Sequence, residues 1–390
     1  IHIARKKKGC HMNIITIMSD SMRYDHLGCN GNDWIRTPNI DRFAAEHATV
    51  FDNAYCGSFP TIPNRTDIHA GYWVSLRRGW SPLPPQDVTL ARHLSRSGLR
   101  TMHIWDTPHL NGANMRQGFD GWKWNRGQEG DGFEVMSDDI PRHDREKCHD
   151  RLVRLHFTNH KYRRFEQDYA SPRTFAAAER WLEHNYDKGD FYLALDTFDP
   201  HEPWDPPDYY TNLYDREYDG HDPIYIPWYQ FCDHWTEAQV RHTRAMYAGE
   251  VTMVDHAFGR LMAKVEDMGL LDNTMVVFMS DHGHLLGEHG RFGKSNRDGK
   301  RFIGKDKRYA GPWPLYRDIT HLVMMIHMPG TAADRTQAIM QPVDLFPTVC
   351  DFLSLEKPGS LEGRSLIPLL QGKTKSHREV AVTSPFPIGN

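Results

Sequence analysis

Residues 13–20, NIITIMSD, are the stretch on which the fold turns. A short apolar run of this kind suits a strand buried on both faces, the condition of an inner strand in a parallel sheet. The run ends at Ser19-Asp20-Ser21. In open α/β sheets ligands bind beyond the carboxyl ends of strands, so Asp20 stands where chemistry is done. Locally, the same aspartate also fits the N-cap of a helix.

Working outward, the pattern repeats. Residues 49–54, 99–105, 190–195 (DFYLAL), 274–279 (TMVVFM) and 322–328 read as further strands. Between them, 37–47, 87–98, 172–184, 236–268 and 344–353 read as helices, the last with an aspartate cap at Asp344. Strands alternating with helices predict an α/β domain with a doubly wound, mostly parallel sheet and helices on both faces. Polar residues gather at the strand ends: Asp106, Thr107 and His109 after the third, Asp196, Asp199 and His201 after the fourth, Asp281-His282 after the fifth. Residues 111–169 are polar, aromatic and irregular and residues 206–234 are rich in Pro, Tyr and Trp, and both read as inserts over a site rather than as core.

With 390 residues and 39% hydrophobic content, the chain can bury a large core. A net charge of −4 gives no basic surface for nucleic acid. The six cysteines form no CxxC pair, which argues against a zinc knuckle or a disulfide framework and favours a reducing compartment. No run is long and apolar enough to span a bilayer. The first eleven residues are basic but lack the apolar stretch of a secretory signal, and read as an added leader ahead of Met12. The expectation is therefore a cytoplasmic protein without membrane or nucleic-acid partners, its oligomeric state open. It would have one catalytic domain over 12–372, and 373–390 would begin a short or truncated C-terminal region.

Residues 58–71, SFPTIPNRTDIHAG, carry the sharpest local signal. Pro63 suits the first turn of a helix, where its missing N–H is not needed. Thr61 then sits just ahead of the helix start, where free backbone N–H groups favour an anion. Arg65, four residues on, lies about one turn along and can reach back. A hydroxyl, an arginine and a helix start suit attack on a tetrahedral oxyanion ester. A Pro-capped helix with a surface arginine reads equally well from this stretch alone.

Together, Asp20, Thr61, Asp281 and His282 offer carboxylate, alkoxide and imidazole ligands for one divalent cation, Ca2+, Mn2+ or Zn2+. Such an ion would lower the pKa of the Thr61 hydroxyl. Arg65 and Lys294 would bind the non-bridging oxygens of the ester, and His201 would protonate the leaving oxygen.

The ordered segments IITIMSD then LGCNG, FDNAY, PNR, DPHEP, SDHGHLLGEHGRFGK and DLFPTVCDF then LEGRSLIPLL resemble a sulfatase of the alkaline phosphatase superfamily, from about residue 13 to 370. The resemblance puts Asp20, Asp281 and His282 on metal-ligand positions, and Arg65, His201 and Lys294 on substrate and acid/base positions. Thr61 falls on the nucleophile position. Sulfatases carry Cys or Ser there, matured to formylglycine, an aldehyde that threonine cannot give. Ser21 stands where many sulfatases have another ligand aspartate, and Thr107-Pro108-His109 replaces the usual Lys-x-His, leaving Asp106, Thr107 and His109 as the substrate-binding candidates. These departures resemble the phosphodiesterase, pyrophosphatase and phosphonate monoester hydrolase branches. The first expectation is thus a metal-dependent hydrolase of phosphate mono- or diesters or phosphonate monoesters, with Thr61 as direct nucleophile and a small or sugar-like ester as substrate. The second is a sulfuric ester hydrolase working without formylglycine, and the third a non-catalytic binding protein.

Overall fold

The structure is a computed structural model that describes residues 11–78, 80–134, 150–223, 232–294 and 315–385. Its frame is an eight-stranded sheet. The strands are β1 (Asn13–Ser19), β2 (Thr49–Ala54), β3 (Arg100–Trp105), β4 (Gly121–Trp124), β5 (Phe191–Thr197), β6 (Thr274–Ser280), β7 (Met324–His327) and β8 (Asp334–Met340). They lie in the order β8-β2-β7-β6-β1-β5-β3-β4. β7 alone runs against its neighbours β2 and β6, so the sheet is mixed but mostly parallel. β1 holds the centre between β5 and β6, and all seven of its residues are buried, as its apolar run requires.

Helices cover both faces: α1 (Pro38–Glu46), α2 (Thr61–Ala70), α3 (Leu90–Arg96), α4 (Asp150–His160), α5 (Ala170–Asn185), α6 (Glu237–Asp267) and α7 (Leu345–Phe352). Alternation along β1 divides the core. Ile15 and Ile17 pack with Phe43, Phe175 and Phe258 of α1, α5 and α6, while Ile14 and Met18 pack with Ile68, Leu94 and Val349 of α2, α3 and α7. α6 starts on a capping box, in which Thr236 Oγ1 accepts from the Gln239 amide at 3.2 Å and Gln239 Oε1 accepts from the Thr236 amide at 3.1 Å.

Several expectations are corrected here. Thr61 is the first residue of α2 rather than a residue ahead of it, and Pro63 lies within the first turn. Asp20 caps no helix; its partners are the site residues described below. Asp344 stands at the start of α7, but its carboxylate binds Arg378 and His377 instead of capping the helix. The stretch 111–169 is not wholly an insert over the site: β4 joins the sheet edge beside β3, and Ala113 and Met115 are buried. Residues 135–149 of that stretch, 224–231 of the second proposed insert and 1–10 of the leader lie outside the described residues. Four cysteines among the described residues, Cys29, Cys56, Cys232 and Cys350, are unpaired thiols, in line with the reading against a disulfide framework. No helix of the described residues is long and apolar enough to cross a membrane.

α2 is buried along its whole length, so its hold on the surrounding chain decides where Thr61 sits. Asp67 supplies much of that hold: its carboxylate accepts from the Ser58 amide at 2.7 Å and the Val74 amide at 2.9 Å. Burial pushes its pKa up to about 7. A carboxyl whose folded pKa is raised favours the folded state at low pH and gives that up as pH rises through the folded value. Thermal stability is therefore expected to fall between pH 5 and about pH 7.5. In Asp67→Asn, which cannot ionise, calorimetry across the same range is expected to show a shallower decline.

Candidate active site

The last residues of β1 and β6, Ser19 and Ser280, are register partners, so Asp20 and Asp281 leave the sheet side by side. Both are fully buried. Ser21, at φ 60°, turns the chain so that its amide donates to Asp281 Oδ1 at 3.0 Å and its hydroxyl to Asp20 Oδ1 at 2.8 Å. His282 Nδ1 faces the Gly283 carbonyl at 3.0 Å, which assigns its proton to Nδ1 and leaves the Nε2 lone pair free. That lone pair meets Thr61 Oγ1 at 3.1 Å. Gly283 has no room for a side chain, since a Cβ there would lie 2.0 Å from the Asp318 carbonyl oxygen.

Arg65 is the hub. Its Nε and Nη2 clasp Asp196 at 2.7 and 2.9 Å, Nη2 also lies 3.0 Å from Asp20 Oδ2, and Nη1 contacts Asp281. Nη1 reaches the Thr61 carbonyl at 3.3 Å, so the arginine does reach back one turn. Thr107 donates to Asp196 and holds it for this role. Lys294 Nζ approaches Ser21 Oγ at 3.3 Å and Asp20 Oδ1 at 4.0 Å.

Three carboxylates (Asp20, Asp196, Asp281) against two cations (Arg65, Lys294) leave one negative charge in excess. Burial, then repulsion from Asp20, raises the pKa of Asp281, and burial raises that of Asp196 despite Arg65. Burial would also raise Asp20, but the charge of Arg65, with that of Lys294, outweighs it and holds that carboxylate ionised. A divalent cation would turn the excess into one positive charge, the sign an anionic ester needs. The donor set fits such an ion. His282 Nε2 lies 3.3 Å from Asp281 Oδ2 and 3.9 Å from Asp20 Oδ1. These are spacings of neighbouring ligands around one cation held at about 2.0–2.5 Å. Asp20, Asp281 and His282 therefore could hold the ion, with Thr61 Oγ1 adjoining. Held there, it would supply positive charge that acidifies a neighbouring hydroxyl and offsets charge on the ester.

The expected consequence is a melting temperature that drops by several degrees on dialysis against a chelator and returns with added divalent cation. Asp281→Asn should abolish the return; calorimetry reads both.

His201, 3% exposed, stacks on Phe198 at 3.9 Å and directs Nδ1 to the Glu202 carbonyl at 2.6 Å. Burial pushes its pKa down to about 3, so it is uncharged at neutral pH. Behind it, Glu202 Oε2 lies 3.3 Å from His201 Nδ1 and 3.1 Å from His284 Nε2. His109 flanks the same place, its ring 6.2 Å from that of His201. Asp106 is turned elsewhere. It accepts from the Phe198 amide, from Thr174 Oγ1 at 2.6 Å and from Thr197 Oγ1 at 3.3 Å, and so knits the β3 and β5 ends together.

The structure thus gathers Asp20, Thr61, Arg65, Asp281, His282 and Lys294 in one cluster, with His201 and His109 beside it. Sequence reading missed Asp196 as the anchor of Arg65, and gave no role to Glu202 or His284. For Asp196 the signal existed, an aspartate ending the DFYLAL strand, but only the fold reveals its partner. Ser21, read as a lost ligand, ties Asp20 to Asp281 and Lys294.

The sulfatase family profile matches residues 12–355. An arylsulfatase of Clostridium perfringens is 28% identical over 403 residues, covering 94% of this chain and 80% of that protein. An N-acetylglucosamine-6-O-sulfatase of Bacteroides thetaiotaomicron is 27% identical over 433 residues, covering 95% and 73%. Among solved structures, the phosphonate monoester hydrolase of Agrobacterium radiobacter superposes with a TM-score of 0.72 at 19% identity, covering 95% of this chain and 78% of that one. The arylsulfatase and the N-acetylglucosamine-6-O-sulfatase favour the sulfate-ester reading, placed second above, over the phosphoester reading placed first. A profile match across most of the chain, on a sheet that brings the matched strand ends together, identifies it as a member of the sulfatase family, an ester hydrolase of the alkaline phosphatase superfamily.

Proposed function

We propose that the chain hydrolyses sulfate esters by direct attack of the Thr61 hydroxyl on sulfur, with no maturation step. The observation that carries this is Thr61 itself: 2% exposed, at the start of α2, its Oγ1 3.1 Å from His282 Nε2 and so beside the group that could hold the cation. The Oγ1–S bond forms as the bond from sulfur to the leaving oxygen breaks. The hydroxyl proton is lost to water, since Asp20, Asp281 and His282 are the side chains that would hold the cation. The leaving oxygen takes its proton from His201, once the anionic ester has raised that imidazole's affinity for one. Water then attacks sulfur, releases sulfate and restores Thr61. Arg65 and Lys294 balance the oxygens that gain charge.

A second reading, hydrolysis of phosphate or phosphonate esters, is favoured by the threonine. A threonine sulfate has no elimination route and must wait for water, whereas a phosphothreonine suits direct hydrolysis. Thr107, in place of a lysine, leans the same way. The test is a panel of nitrophenyl sulfate, phosphate, phosphodiester and phosphonate, with acid quenching to trap radiolabelled Thr61. Fastest turnover of the sulfate supports the first reading and fastest turnover of a phosphoester the second. A label absent from Thr61 under both would sink direct attack.

A further inference from the structure

The chain leaving β4 is pinned as firmly as the sheet it leaves. The Asn125 amide donates to the Trp105 carbonyl at 2.8 Å, and Gln128 Nε2 donates to Asp199 Oδ1 at 2.7 Å. The Gly127 amide donates to Asp131 Oδ2 at 3.0 Å, and Asn159 Nδ2 donates to the Gly127 carbonyl at 3.1 Å. This rigid loop presents Glu129 in the left-handed region, at φ 47°. Such a backbone is strained for a residue with a β-carbon. Gly127 and Gly130 stand close by, yet the strained place holds a glutamate.

Its side chain, 13% exposed, brings Oε2 to 3.5 Å from Nε2 of His109, whose own side chain is 36% exposed. Glu129 lies close enough to the site to feel Glu202, Lys294 and Asp20. Burial, then the charge of Glu202, pushes its pKa up to about 8. The pair is therefore not a structural ion pair at neutral pH, and the largely uncharged carboxyl does not repel an anionic ester. What it keeps is an oxygen that accepts hydrogen bonds, on the side of the site next to His109 and His201.

We propose that Glu129, together with His109, lines the place of the alcohol half of the ester and selects substrates carrying a hydrogen-bond donor, a ring hydroxyl or amine, beside the ester oxygen. The substrate class is then a sugar-like ester rather than a simple aryl one. The proposal deepens the ester-hydrolase reading above and rests on it. A pocket built to accept from a substrate hydroxyl discriminates strongly against analogues lacking it, because its own polar group is otherwise left unpaired.

The test compares kcat/KM for a hexose sulfate with free hydroxyls against nitrophenyl sulfate, in wild type, Glu129→Ala and Glu129→Gln. The expected result is a hexose-to-aryl ratio lowered at least about 10-fold in Glu129→Ala. Glu129→Gln, whose carbonyl still accepts, should keep most of the ratio. A ratio that does not move in Glu129→Ala, or falls equally in both variants, overturns the proposal. If the wild type turns over neither ester, the sulfate-ester reading fails in its own right. Calorimetric binding of the hexose sulfate then decides the proposal: weaker binding in Glu129→Ala supports it, and equal binding overturns it.

Discussion

Thr61→Ala is expected to lose at least about 10^4-fold in kcat while keeping its fold, because a covalent route without its nucleophile retains only binding and electrostatic assistance. Thr61 gives up one side-chain hydrogen bond, to His282, and that loss costs about 1 kcal/mol. The melting temperature should therefore move little while turnover collapses. Thr61→Ser is the informative partner. It restores a hydroxyl without the methyl group and should recover a large part of the rate, since no maturation to an aldehyde is involved. If Thr61→Ala is as active as wild type, the hydroxyl is a bystander and a water held in the same cluster does the attacking.

The second large effect is expected at Arg65, and here stability and activity should fall together. A buried arginine clasped by Asp20, Asp196 and Asp281 leaves three carboxylates facing Lys294 alone when it is truncated. Breaking a buried charge cluster on one side typically costs about 3–5 kcal/mol. Arg65→Ala should thus unfold at clearly lower urea concentration and show no measurable turnover. Arg65→Lys should repair little, because an ammonium is a point charge and cannot span carboxylates arranged around a planar fork. The acid side carries a further sign. A carboxyl held below its ordinary value, as Asp20 is, contributes stability that is present above that value and fades as pH falls. Removing Arg65 takes away the strongest of the charges that lower it, so stability in the variant should depend less steeply on pH in the acid range. Urea titrations at several pH values measure both. An Arg65→Ala protein as stable as wild type would mean the cluster is not held by this residue.

How much of this was legible beforehand follows from where each signal lies. β1, β5 and β6 are buried on both faces, so their composition alone declares them, and Asp20 and Asp281 follow as strand ends. Thr61 and Arg65 were legible because a helix turn links them within five residues of sequence. β8 was missed because five of its seven residues, Asp334 to Gln337 and Ile339, are exposed or half-buried, and its first four read as polar chain. β4 was missed because it is only four residues long, GWKW, and none of them is fully buried. The reversed direction of β7 leaves no mark on composition, since either direction buries the same side chains. Asp196 on Arg65 joins residues 131 positions apart, and Glu202 beside His284 joins two loops. Pairings of that kind are decided by sheet order, which local periodicity does not encode.

The sheet order also has a bearing on how activity would be gained during synthesis. Lys294 is made about 270 residues after Asp20, and they become neighbours only when β6 docks beside β1. No fragment that stops short of β6 can hold the cluster, so a nascent or clipped chain lacking β6 should be inert however well its remaining parts fold. Recovery of turnover on dilution from denaturant would then report the closing of the central strands, and lag behind the return of helical signal.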